Sequence, residues 1–280
     1  MAYVNPVNEI ATSLISRKLA RILDDNMLAL QKSLFRLTTG LRIVDAGDDP
    51  AGAAQVIKLN NQIARANSTQ EAIDNATSYV ESQSEFLDTV SEKLDRLSEL
   101  ANLSTNASTT AEQRSSYQIE FEEIQEFISD IGRRTFNNVG LFGVQTSSIV
   151  DEDGGQFTLQ AINYSAAFGS GGLGGVFVST VNVATTTSAA SAIGTVSTAI
   201  ANLGILQARV DSNSTRLSDS KDLLVSLEEN LQAVVDRVQN TNTTSETVEF
   251  NRLSLLTQTG QTMLANFETL RLGLLDLLQI

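Results

Sequence analysis

Apolar or small residues near the end of the chain fall in alternating steps of three and four: Leu253, Leu256, Gly260, Met263, Phe267, Leu270, Leu274 and Leu277. That is the a/d rhythm of a helix that needs a helical partner. The start of the chain keeps the same beat in Leu19, Leu23, Met27, Leu30, Leu34, Leu37 and Leu41, so the two ends are predicted to be halves of one coiled coil. Further seams lie between them. Ile73, Ala76, Val80, Gln83, Leu87, Val90, Leu94, Leu97 and Ala101 mark a second helix, and Tyr117, Phe121, Ile124, Ile128 and Ile131 a shorter third. Leu203, Val210, Leu217, Leu224, Leu231 and Val238 recur every seventh residue on a fourth, beside a companion row that turns polar at Asn213 and Ser220. Three inner helices can close a bundle.

Local chemistry separates these seams. "DAGDDPAGAA" sets Gly47, Pro50 and Gly52 between the first two helical patterns, and a residue before proline is steered away from helix. Thr109 and Glu112 have the spacing of a capping box for the third helix, and Gly132 is placed to end it. From 135 to 191 the pattern changes. "TFNNVGLFG" supplies Asn and Gly for a tight turn, and "FTLQAINY" and "GVFVSTVNVA" alternate as strands do. With turn chemistry and no heptad, 145 to 190 is expected to make few apolar contacts and to tolerate shortening. The predicted fold is mainly α: a long antiparallel helical bundle or coiled coil with paired N- and C-terminal helices and a small β-hairpin-containing excursion. Residues 1–44 with 247–280 form its terminal coiled coil, 45–134 with 192–246 its helical bundle, and 135–191 a short variable region.

Composition narrows the function. A chain of 280 residues, 41% hydrophobic, can bury a sizeable core. Its net charge of −14 argues against nucleic acid, and makes any self-association depend on apolar burial helped by screening salt. It has no cysteine and no histidine, which removes thiolate chemistry, the commonest general base and the commonest metal ligand. No enzyme activity and no cofactor are expected. No run reaches the roughly 20 apolar residues that span a bilayer, so no membrane insertion is expected. The N-terminal stretch lacks the pattern of a cleaved leader, which leaves the cytoplasm or an export route that reads another signal.

Motifs that could carry chemistry are weak. "GSGGLG", Gly169 to Gly174, lacks the strand and helix of a dinucleotide loop and reads as a flexible loop. "DEDGG" from Asp151 lacks the ligand spacing of a calcium loop and reads as a solvated turn. Asp48 and Asp49 read as turn structure, and Glu122, Glu123 and Glu126 as a wet helix face.

At "LQKSLFRLTTGLRIVDAGDDPAGAAQV", Leu30 to Val56, the chain resembles bacterial flagellins, and "LDRLSELANLSTNAST", "RTFNNVGLF" and "QTGQTMLANFETLRLGLLDLLQI" extend the resemblance in order along the chain. It covers roughly 1 to 143 and 193 to 280. The resemblance implies a secreted structural subunit that self-polymerises into the extracellular flagellar filament for swimming motility. Its terminal helices then pair as a coiled coil, and the heptad leucines become an assembly seam. It further implies type III export without a cleaved leader, an export chaperone, and cap and junction proteins as partners. An innate immune receptor is a further candidate partner, through Arg96, Leu100 and Glu120, with Ser98 standing where a second basic residue is often found. The alternatives are a hook-filament junction protein of the same superfamily and, from another class, an intracellular coiled-coil scaffold. Because isolated helices are marginal in water, the two ends are expected to be largely disordered in the monomer and to fold only on assembly.

Overall fold

Both prolines of the chain stand at the first position of a helix, where the missing N–H costs nothing and the fixed φ suits the first turn. Pro6 opens α1 (Pro6–Thr39) and Pro50 opens α2 (Pro50–Thr105). They are followed by α3 (Ala111–Ile131), α4 (Thr186–Gln239) and α5 (Thr243–Leu277), in the order the seams predict. The computed structural model describes residues 6–165, 172–177 and 181–277, with side chains over 14–165, 172–176 and 181–270. Gly169 to Gly171 of the glycine loop therefore lie outside the described residues. The chain is mainly helical, with two small antiparallel strand pairs among the described residues.

The start of α3 differs from expectation by one residue. Thr110, not Thr109, is the N-cap: its hydroxyl accepts from Gln113 N, and the Gln113 side chain accepts from Thr110 N. Adjacent threonines offer two capping frames, and Gln serves as well as Glu at the third position. Gly132 ends the helix as expected. A Cβ there would lie 2.7 Å from Cδ1 of the Tyr164 ring, so glycine is what lets that ring close on the helix end.

Two hairpins follow α3. β1 (Thr135–Phe136) pairs with β2 (Val139–Gly140) across Asn137 and Asn138, whose φ angles of 48° and 66° are those of a primed hairpin turn. β3 (Thr146–Ile149) pairs with β4 (Gln156–Leu159) around the "DEDGG" turn, where Asp151 Oδ1 accepts from Asp153 N and Gly155 N. The strand expected in "GVFVSTVNVA" is not found among the described residues of that stretch, 175–177 and 181–184. Gly174–Phe177 is a 3₁₀ turn, and side chains of α3 take the place of a partner strand. Gln125 Nε2 donates to Val176 O and Val181 O, and Gln118 Oε1 accepts from Val183 N. Backbone polar groups that find side-chain partners need no ladder.

The chain divides into two compact units, Gln62–Glu229 and Met1–Asn61 with Asn230–Ile280. In the first, Ile73, Val80, Leu87, Leu94 and Leu97 of α2 and Leu203, Val210, Leu217 and Leu224 of α4 are buried, with Phe121, Ile128 and Ile131 of α3. Lys221 pairs with Asp74 at 2.5 Å and Gln207 donates to Asp88, so α4 runs antiparallel to α2 here.

The excursion belongs to this core, contrary to the expectation of few apolar contacts. Phe157, Leu159, Ile162, Tyr164 and Leu173 are all buried in it. The Tyr164 hydroxyl donates to Ile128 O at 2.6 Å, its ring lies 4.9 Å from that of Phe142, and burial pushes its pKa up. Tyr79 donates to Gly140 O and Leu141 O, and Gln83 donates to Leu141 O, fixing the first hairpin to α2.

Candidate assembly surface

In the unit that holds the chain ends, α1 and α5 pair. Arg36 meets Glu246 at 3.9 Å, and a Cβ on Gly260 would lie 2.9 Å from Leu23 Cδ1. Moving back along α1 from Arg36 to Leu23 thus moves forward along α5 from Glu246 to Gly260, and the helices are antiparallel. Gly260 lets them approach closely.

The inward stripe on α1 is Leu19, Leu23, Asn26, Leu30, Ser33 and Leu37, and on α5 it is Leu253, Thr257, Gly260, Leu264 and Phe267, all buried or half-buried. Leu41 is half-buried just past α1. Met27 and Leu34 on α1, and Leu256, Met263 and Leu270 on α5, are exposed, Leu270 to 66%. The side chains of Leu274 and Leu277 lie outside the described residues, on the helical backbone of α5. The polar positions Asn26, Ser33 and Thr257 escaped an apolar-only scan. Their signal was the same three-four spacing, one residue out of step.

That one-residue offset puts apolar flanks on opposite sides of the pair. Met27 and Leu34 each follow an inward residue, whereas Leu256 and Met263 each precede one. Each residue advances about 100° around a helix. Antiparallel helices turn in opposite senses seen from one end, so a following residue on one and a preceding residue on the other face opposite ways. Leu14, Ile15, Ile22, Leu28 and Phe35 are exposed too, so α1 carries apolar side chains on several sides, interspersed with the exposed charges of Arg17, Lys18, Arg21, Asp24, Asp25 and Lys32.

The seam inside one chain is also imperfect. Ser33 Oγ and Arg36 Nε are buried with no hydrogen-bond partner among the described residues. Unpaired buried polar atoms cost free energy, so this pair alone is a weak unit.

The turn between α1 and α2 is held by charge. Gly40 takes φ 73°, its carbonyl accepts from Thr241 N, and Leu41 forms a bridge with Asn240. Arg42 donates to Val238 O through Nε and Nη2, the latter at 2.8 Å, and pairs with Asp49 at 3.3 Å. Asp49 Oδ1 accepts from Gly52 N, and that bond, with Arg42, holds its carboxyl below the usual range. A Cβ on Gly52 would crowd both Asp49 Oδ2 and Ile43 Cδ1.

Asp48 accepts from Val44 N and Asp45 N and pairs with Lys32 at 2.6 Å. The hydrogen bond from Lys32 leads in lowering its pKa to about 2. A depressed carboxylate contributes stability that is present above the ordinary value of about 4 and is lost as pH falls through the folded value. NMR titration of the amides of Val44 and Asp45 should therefore show a midpoint near 2. A midpoint near 4 would mean that the turn is open in solution.

Arg96 and Glu120 come together, whereas Leu100 does not join them at the surface. Arg96 Nε donates to Glu120 Oε1 at 2.7 Å and Nη2 to Oε2 at 3.1 Å, while Nη1 meets Glu99 at 2.5 Å. This bidentate tie links α2 to α3, raises the Arg96 pKa and lowers that of Glu120. Leu100 is fully buried in the core.

Residues 10–146 match the family described as the bacterial flagellin N-terminal helical region, and 186–278 its C-terminal helical region. The chain is 27% identical over 273 residues to flagellin FlaB1 of Treponema pallidum, covering 92% of this chain and 96% of that one. It is 28% identical over 261 residues to a flagellin of Halalkalibacterium halodurans, with 89% and 92% covered. A solved structure of a putative flagellar hook-associated protein from Vibrio parahaemolyticus superposes with a TM-score of 0.59 at 14% identity, covering 69% of this chain and all of that one, a likeness of fold.

Proposed function

The chain belongs to the bacterial flagellin family, and from that premise we propose that it polymerises through the apolar flanks of α1 and α5 into the flagellar filament, of which it is a structural subunit. The observation that carries this is the placement of those flanks. Met27 and Leu34 on one side, and Leu256, Met263 and Leu270 on the other, form two different apolar surfaces facing opposite ways. A contact between unlike surfaces is heterologous, and it makes an open helical polymer when the rotation does not close. Leu19, Leu23, Leu30, Leu37, Leu41, Leu253 and Phe267 hold the pair together from within.

The same reading places the protein outside the cell after type III export, with a chaperone on the C-terminal helix and cap and junction proteins at the filament ends. Recognition by an innate immune receptor is proposed to rest on the exposed edges of Arg96 and Glu120. Leu100 supports that surface from the core.

Electron microscopy of the purified chain at rising salt tests the filament reading, since salt screens the net charge of −14. Long filaments that grow from sheared seeds are the expected result. Short closed particles that do not elongate would contradict it.

A further inference from the structure

Readily oxidised side chains are scarce in this protein, which has no cysteine, tryptophan or histidine and three methionines. Two of the three stand on the apolar flanks, one on each. Met27 on α1 is 41% exposed, and Met263 on α5 is 58% exposed. A heterologous contact that joins one flank to the other brings both into the same kind of interface. On the strength of the filament reading, we infer that Met27 and Met263 are an oxidation site that controls assembly: peroxide-class oxidants convert them to sulfoxides in the free subunit and block its polymerisation.

The chemistry is a two-electron oxygen transfer. The thioether sulfur attacks one peroxide oxygen, the O–O bond breaks as an S–O bond forms, and the other oxygen leaves as water after proton transfer. Sulfur is oxidised and hydrogen peroxide reduced. The product is a polar, chiral sulfoxide in place of a flexible apolar side chain, which disrupts methionine-rich contacts. In the free subunit both side chains are exposed to solvent-borne oxidant. In a filament, neighbouring flanks cover them, so the site is open only before assembly. Reduction by a methionine sulfoxide reductase with a dithiol reverses the change.

The test treats free subunits with hydrogen peroxide, confirms the sulfoxides by peptide mass spectrometry, and measures critical concentration by sedimentation before and after. For the wild type the ratio of treated to untreated values should be about tenfold or more and should return to one after enzymatic reduction. For Met27→Leu/Met263→Leu the ratio should stay near one, whatever that variant's own starting value. A wild-type ratio near one with both sulfoxides present overturns the inference and leaves the filament reading standing. An equal rise in the double variant overturns it as well, since the damage would then lie elsewhere. Untreated wild type that forms no polymer refutes the filament reading, and this inference falls with it.

Discussion

Replacing Gly154–Gly175 with a short flexible linker is expected to unfold Gln62–Glu229 at ordinary temperature. The segment carries Phe157, Leu159, Ile162, Tyr164 and Leu173, all buried in the core of that unit. Loss of one large core side chain costs about 2–5 kcal/mol, and a whole domain is stable by only about 5–15 kcal/mol. Removing five together exceeds what the remainder can bear. It also removes the Tyr164 hydroxyl from Ile128 O and leaves Gly132 beside an empty ring site. Circular dichroism should show no cooperative melt of the unit. An unchanged melting curve would mean that the excursion lies on the core without supporting it.

Leu270→Asp is expected to act in the opposite manner, harming the polymer and sparing the monomer. Leu270 is 66% exposed in the single chain, so a carboxylate there stays hydrated and shifts monomer stability by no more than about 0.5 kcal/mol. In the proposed filament contact the same carboxylate would be covered by a neighbour. Burying an unpaired polar or charged group costs about 3 kcal/mol or more, and each 1.4 kcal/mol is about tenfold in an equilibrium constant. Critical concentration should rise at least about a hundredfold while the monomer's helicity is unchanged. Assembly at the wild-type concentration would remove position 270 from the interface.

The helices, their order and the Asn137–Asn138 hairpin were legible because each rests on local chemistry: heptad spacing, Pro50 at a helix start, and two Asn residues that accept positive φ. The inward face of the terminal pair was not fully legible. Periodicity finds apolar residues, and α1 is apolar on several sides, so Met27 and Leu34 were as good a fit as Asn26 and Ser33. The role of the excursion was hidden for another reason. Ile162 and Tyr164 stand in a short run of small and polar residues, Gln160 to Ser165, and Tyr164 is held by α3, more than thirty residues earlier, where it finds Ile128 O. In "GVFVSTVNVA" the described residues form a 3₁₀ turn rather than a strand, and Gln118 and Gln125 satisfy backbone groups of Val176, Val181 and Val183 from a distance. For the candidate receptor surface, the family resemblance pointed to Arg96, Leu100 and Glu120 but could not say that the two charged residues pair with each other while Leu100 turns inward.

Hydrogen exchange of the same preparation as free subunit and as filament tests most directly whether assembly covers the α1 and α5 flanks. The pair buries polar atoms without partners, Ser33 Oγ and Arg36 Nε, and leaves wide apolar faces wet, so its amides should open readily in the free chain. Residues 14–39 and 243–270 should exchange at least about tenfold more slowly in the filament than in the subunit. Amides of the Gln62–Glu229 core, such as those around Leu94 and Leu217, should be protected alike in both. Equal exchange of α1 and α5 in the two states would contradict the account, because filaments would then be held together by surfaces other than the terminal helices.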